Sequence, residues 1–127
     1  MIALDTSALM AIVLKEPQAE ACKAALEAED EILISAGTLA ELLIVSMRRK
    51  VGTEVANFLE RFELDVVPVT PAAARRIGQA YERWGRGMHQ AALNFGDCFA
   101  YEVAKENACR LLYVGDDFAK TDIESVL

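Results

Sequence analysis

Four acidic positions stand out in this chain because their neighbours are apolar or because they close an apolar run. Asp5 ends Ile2-Ala3-Leu4, and Glu41 sits inside Leu39-Ala40-Glu41-Leu42-Leu43-Ile44. Asp97 lies in Asn94-Phe95-Gly96-Asp97-Cys98-Phe99-Ala100-Tyr101, and Asp116 follows Leu111 to Val114 with Asp117 directly behind it. A carboxylate in apolar surroundings needs a hydrogen-bond donor, a cation or a metal. Like charges brought together raise one another's pKa and repel, so a cluster of them persists only where a cation compensates. Oxygen donors without His or Cys select a hard ion, magnesium or manganese. Held that way, the ion orients and deprotonates a water and stabilises the charge that develops as a phosphodiester breaks. Each acid also has a plain structural reading. Asp5 can cap a helix, Asp97 can be a first-turn acid, Glu41 can face solvent, and Asp116 with Asp117 can be turn residues. The four together are harder to explain that way.

The elements around them decide whether the acids meet. Ile2 to Leu4 reads as a buried strand, with Thr6 or Ser7 suited to start a helix that runs to Lys15. Pro17 suits the first turn of a second helix, rich in alanine. Glu31 to Ser35 is a second buried strand, and Thr38 to Lys50 a strong helix with Leu39, Leu42, Leu43 and Met47 at core spacing. Thr53 to Arg61 is a further helix with Val55, Phe58, Leu59 and Phe62 as its buried stripe, followed by a strand at Asp65 to Val69. Thr70-Pro71 marks a helix start, a cap and then proline, and this helix extends to about Trp84. Gly85, Gly87 and Asn94 mark a loop; a helix from Phe95 to about Asn107 and a strand at Leu111 to Val114 follow. The tail holds a short helical turn and an edge strand at Ile123 to Leu127. Alternating strands and helices imply an α/β fold with a parallel sheet covered on both faces. In such a sheet, carboxyl ends of strands and amino ends of helices share one side, and all four acids belong to that side.

Composition excludes several other classes. At 127 residues with 54% hydrophobic content, the chain is one domain, residues 1–127, with a core that buries about two-thirds of its unfolded surface. The formal charge of −7 argues against a general electrostatic grip on nucleic acid, although Arg48, Arg49 and Lys50, and then Arg75, Arg76, Arg83 and Arg86, form two local basic groups. Cys22, Cys98 and Cys109 have no paired spacing, which suits a reducing cytosol rather than a disulfide framework. No signal peptide and no membrane span are apparent, so a cytoplasmic protein is expected. There is no glycine loop for a nucleotide and no nucleophile elbow, and the lone His89 in its Arg/Gly loop supports no mechanism.

The segments Leu4-Asp5-Thr6-Ser7-Ala8-Leu9, Ala40-Glu41, Asn94 to Tyr101 and Gly115-Asp116-Asp117-Phe118 resemble the PIN domain, and more narrowly the VapC ribonuclease toxins of VapBC toxin–antitoxin pairs. The likeness covers nearly the whole chain, in the order and spacing of all four acids. The resemblance implies a three-layer sandwich, a central parallel sheet of four to five strands with helices on both faces. It also implies a magnesium- or manganese-dependent endoribonuclease. Asp5 and Asp97 would be direct metal ligands; Glu41 and Asp116 would complete the acidic pocket, partly through water, with Asp116 among the metal-holding acids and Asp117 as the other candidate for that position. Thr6 or Ser7 would orient the metal's shell. A homodimer and a VapB-like antitoxin, whose tail often carries an arginine toward the acids, are the implied partners.

Two points go beyond the acids. Arg75, Arg76, Arg83 and Arg86 form either a rim that guides RNA phosphates, with Trp84 or Tyr81 stacking on an unpaired base, or a solvated helix face. The competing functional reading is a non-catalytic or phospho-accepting α/β module that uses the Asp5 pocket. Against it, a phosphatase of that kind wants a second acid two residues after the nucleophile, where this chain has Ser7.

Overall fold

A computed structural model describes all residues, 1–127. Its four-stranded sheet has the order β3-β2-β1-β4, every pairing parallel. The strands are β1 (Ile2–Leu4), β2 (Ile32–Ser35), β3 (Asp65–Val67) and β4 (Arg110–Leu112). Helices α1 (Thr6–Val13) and α2 (Ala19–Glu27) connect β1 to β2, and α3 (Ala36–Arg48) and α4 (Gly52–Arg61) connect β2 to β3. Then α5 (Pro71–Trp84) and α6 (Phe95–Glu106) lead to β4.

The period-2 alternation of the strands divides the core into two layers. Ala3, Leu33 and Leu111 face Ile77, Ala80, Trp84, Cys98 and Val103 of α5 and α6. Ile2, Leu4, Ile32, Ile34 and Leu112 face Leu9, Leu26, Leu42, Val55 and Phe58 of α1 to α4. Strands buried on both faces read as continuous apolar runs, which is why β1 and β2 are so plain in the sequence. The chain leaves β1 toward β2 and β3 and returns on the other side as β4. Neighbouring β1 and β4 therefore open a crevice at their carboxyl ends.

Several boundaries differ from the sequence reading. The third strand stops at Val67, just before Pro68, and Val114 lies outside β4. The expected last strand at Ile123 to Leu127 is reduced to a single bridge, Leu111 to Ser125, preceded by a 3-10 turn at Phe118–Lys120. The largest correction concerns α3. Leu43 and Met47 are not core residues but stand 51% and 69% exposed, while Thr38, Leu42 and Ser46 form the buried stripe. A helix apolar nearly all round gives its period but not its phase, and packing against the sheet chose a phase that turns Leu43 and Met47 outward.

The tail is held by two backbone bonds around Leu111, by Phe118 and Ile123 in the core, and by a chain of polar side-chain contacts. Trp84 Nε1 donates to Tyr101 Oη at 3.0 Å, and Tyr101 Oη donates to Asp122 Oδ1 at 2.6 Å. Lys105 Nζ reaches Asp122 Oδ2 at 3.1 Å. Burial and the Asp122 bond push the Tyr101 hydroxyl up to about 12. Tyr101→Phe leaves the buried indole N–H without an acceptor, so we expect a loss on the order of 1–3 kcal/mol in urea unfolding. A variant as stable as the parent would show that the chain of bonds contributes nothing.

Candidate active site

Asp5 leaves β1 and becomes the N-cap of α1. Its Oδ2 accepts from Ser7 N at 3.0 Å and from Ser7 Oγ at 2.6 Å. The cap reading is therefore correct, but it uses only one oxygen. Asp5 is 3% exposed, and its Oδ1 is buried with no hydrogen-bond partner. Ser7 Oγ also accepts from Val114 N at 3.0 Å, which ties the end of β1 to the loop that follows β4.

Glu41 comes from the second turn of α3. Thr6 Oγ1 donates to its Oε1 at 2.7 Å. Its other oxygen lies over Gly96 at the start of α6, where a Cβ would collide with the carboxylate. Glycine is required at that position by close approach, which is a tertiary reason. Asp97 sits one residue further along, in a capping box: Asp97 N donates to Asn94 Oδ1 at 2.8 Å and Asn94 N to Asp97 Oδ2 at 3.0 Å. The cap that starts α6 thus also orients the carboxylate.

Electrostatics show which acids interact. Burial, first of all, pushes Asp5 up to about 7, and the charges of Asp97 and Glu41 add to it against the Ser7 bonds. Asp97 is raised as well, by burial and then by Asp117 and Glu41, with the Asn94 backbone opposing. The structure brings Asp5, Glu41 and Asp97 together as the sequence anticipates. At the fourth position both acids are exposed, and the one whose charge bears on Asp97 is Asp117. Gly115, at φ 108°, starts the turn that carries them.

Asp5, Glu41, Asp97 and Asp117 lie near enough for their charges to act on one another, but no three of them close into a cage that could by itself hold a metal ion. A hard divalent ion fits this arrangement. All donors are oxygens, and a buried carboxylate oxygen with no donor is most readily satisfied by a cation. Magnesium in particular is bound through one or two carboxylates and keeps much of its water, so it needs no protein cage.

The basic residues do not gather here. Arg76 pairs with Glu102 at 3.8 Å and Glu106 at 3.3 Å, and Arg83 with Asp122 at 3.7 Å. These partners lie on the carboxyl half of α6 and in the tail, whereas Asp97 is in the first turn of that helix. Arg75 and Arg86 are exposed, without an ion pair. Trp84 is 8% exposed, with Arg83 stacked 4.6 Å from its ring centroid, so the indole is not available to a base. His89 packs edge-on against Trp84 and accepts from Ala91 N, a structural role. Sequence reasoning missed Phe95, beside the acids and 72% exposed. The signal was present as an aromatic residue opening a helix next to Gly96-Asp97.

The PIN domain family model matches residues 2–124. Ribonuclease VapC30 of Mycobacterium tuberculosis is 40% identical over 126 residues, covering 97% of this chain and 96% of that protein. Ribonuclease VapC of Mycolicibacterium smegmatis is 37% identical, covering 97% and 98%. Among solved structures, Mycobacterium tuberculosis VapC20, titled a sarcin–ricin loop cleaving toxin, superposes with a TM-score of 0.77 at 20% identity, covering 99% and 98%. A toxin–antitoxin complex from Klebsiella pneumoniae does so at 0.69 and 18% identity, covering 96% and 93%. These structures bear on the fold alone. The chain belongs to the PIN-domain family, and within it to the VapC group. The phospho-accepting alternative is not favoured, since Ser7, which engages one Asp5 oxygen, stands two residues after Asp5 where such a site wants a second acid.

A pH effect follows from Asp5. A carboxyl whose folded pKa lies above its unfolded value holds its proton more tightly in the fold. Its contribution to stability is full below 3.8 and lost as pH rises toward about 7. With EDTA present, unfolding free energy should fall across that window by on the order of a few kcal/mol, and Asp5→Asn should flatten the slope. Parallel urea-midpoint profiles for parent and variant would refute this.

Proposed function

We propose that this protein is a metal-dependent endoribonuclease, the toxin of a type II toxin–antitoxin pair acting in the cytoplasm. The observation that carries the reading is the buried, unpartnered Oδ1 of Asp5, set among Glu41, Asp97 and Asp117 where two parallel strands end. Its VapC relatives are named ribonucleases, which supplies the substrate class.

Asp5 and Asp97 would hold magnesium or manganese directly, with Glu41 and the acid after β4 completing the pocket. For that last position we favour Asp117 over Asp116, because its charge reaches Asp97. A bound divalent ion supplies the positive charge that makes a water nucleophilic at neutral pH and offsets charge on the phosphate. The chain's own residues prepare the site. Ser7 fixes the Asp5 carboxylate and joins β1 to the loop carrying Asp116 and Asp117. Thr6 holds one Glu41 oxygen, so the other is directed over the start of α6. Asn94 fixes Asp97 through the capping box. Glu41, within reach of solvent, is suited to accept a proton from the attacking water.

Two partners complete the reading. A VapB-like antitoxin is supported by the structural neighbours solved as toxin–antitoxin complexes, and a cationic side chain from it would suit the acidic cleft. A homodimer is supported by Leu43 and Met47, exposed side by side on α3.

Purified, antitoxin-free protein should cut total RNA into discrete fragments with magnesium or manganese and none with EDTA. Asp5→Asn and Asp97→Asn should each lower the rate by at least ~100-fold. Asp117→Asn should cost more than Asp116→Asn. If both Asp5→Asn and Asp97→Asn cut as fast as the parent, the acid-cluster mechanism is wrong. For the dimer, Met47→Asp should halve the mass in sedimentation equilibrium without changing the circular dichroism. An unchanged mass would place the interface elsewhere.

A further inference from the structure

Phe95 is the first residue of α6 and 72% exposed, although large aromatic side chains seldom stand free in water. Its ring is braced edge-on by Phe99 at a centroid separation of 4.9 Å, so it is held in place while remaining open to solvent. It forms one wall of a groove of about 330 Å³ between α3 and α6, bounded also by Ala40, Ile44, Phe99 and Gly96. Glu41 is the one charged side chain lining the groove. That same carboxylate belongs to the acid cluster, and Asp97 is two residues from Phe95.

We propose that Phe95 is a substrate-binding residue: it stacks on an unpaired nucleobase of the RNA next to the phosphodiester being cut. This rests on the ribonuclease reading and deepens it to RNA whose bases are free at the cleavage site. The groove's chemistry selects the occupant. Apolar walls with no cation exclude a phosphate or an acidic peptide. Glu41, whose carboxylate serves the acid pocket, lies where the groove meets that pocket. An aromatic face stacks on any base, while the adjacent acid cluster is where the phosphate belongs. An acidic protein has no general electrostatic hold on RNA, so a local stacking contact beside the acids has a clear purpose. Duplex RNA keeps its bases stacked inside and could not offer one.

The test uses a short unpaired oligoribonucleotide carrying a cut site mapped with the wild-type protein, and the same oligonucleotide with the base flanking that site removed. Phe95→Ala should raise KM about tenfold or more and change kcat little, while Phe95→Trp should restore KM. The abasic substrate should cost the wild type a similar factor and cost Phe95→Ala almost nothing further, because both changes delete one contact. Equal KM values for wild type and Phe95→Ala on the intact substrate would overturn the stacking and leave the ribonuclease reading standing. So would an effect confined to dimer mass or antitoxin affinity, since either would assign the groove to a protein. A wild-type protein that cuts and binds no RNA at all would overturn the ribonuclease reading, and this proposal with it.

Discussion

The structure depends on a carboxylate buried where burial is costly. Asp5 is 3% exposed, and one of its oxygens has no donor. Leaving a buried charged group unsatisfied costs at least ~1–3 kcal/mol, and a fold keeps such a feature only where something else holds it in place. Here that something is local. Ser7 engages the other oxygen twice and accepts a bond from the loop after β4, so the carboxylate cannot turn away without loosening the contact between two strands. The destabilised group is fixed, and its free oxygen has no partner within the protein.

Parallel topology then concentrates charge at the same place. Strand carboxyl ends and helix amino ends alternate along one side of the sheet, so α1 and α6 both start at the crevice with their positive dipole ends toward the acids. Those dipoles offset part of the repulsion among Asp5, Glu41, Asp97 and Asp117 without removing it, and Asp5 and Asp97 both remain raised. A single helix start does several jobs at once. In four residues, α6 supplies the Asn94 cap, the exposed Phe95 ring, the Gly96 cradle for Glu41 and the Asp97 carboxylate.

A contrasting economy holds the opposite half of α6. Arg76, Arg83 and Lys105 pair with Glu102, Glu106 and Asp122, and the Trp84–Tyr101–Asp122 chain pins the tail there. These cations neutralise nearby acids, so Arg76 and Arg83, two of the basic residues evident in the sequence, serve the α5–α6 packing and the tail. The acid cleft is left without a protein cation of its own, in keeping with a site that accepts one from outside.

Sequence by itself determined the α/β architecture, the parallel sheet and the three acids that meet, because buried strands are continuous apolar runs and helix caps have distinct chemistry. Thr70-Pro71 marked its helix start to the residue for that reason, whereas Asn94, read from the sequence as a loop residue, proved to be the cap of α6. Only tertiary structure decided what depends on phase or on distant chain segments. The uniformly apolar α3 hid which of its faces was core, so Leu43 and Met47 turned out exposed. The sequence favoured Asp116, the acid nearer the strand, over Asp117, whereas in the turn that begins at Gly115 the acid whose charge bears on Asp97 is Asp117. Ion pairing with α6 and the tail, invisible in a linear chain, drew Arg76 and Arg83 away from the acids. Gly96 is small because a carboxylate from another helix lies against it, a contact between residues 55 positions apart that no local pattern encodes.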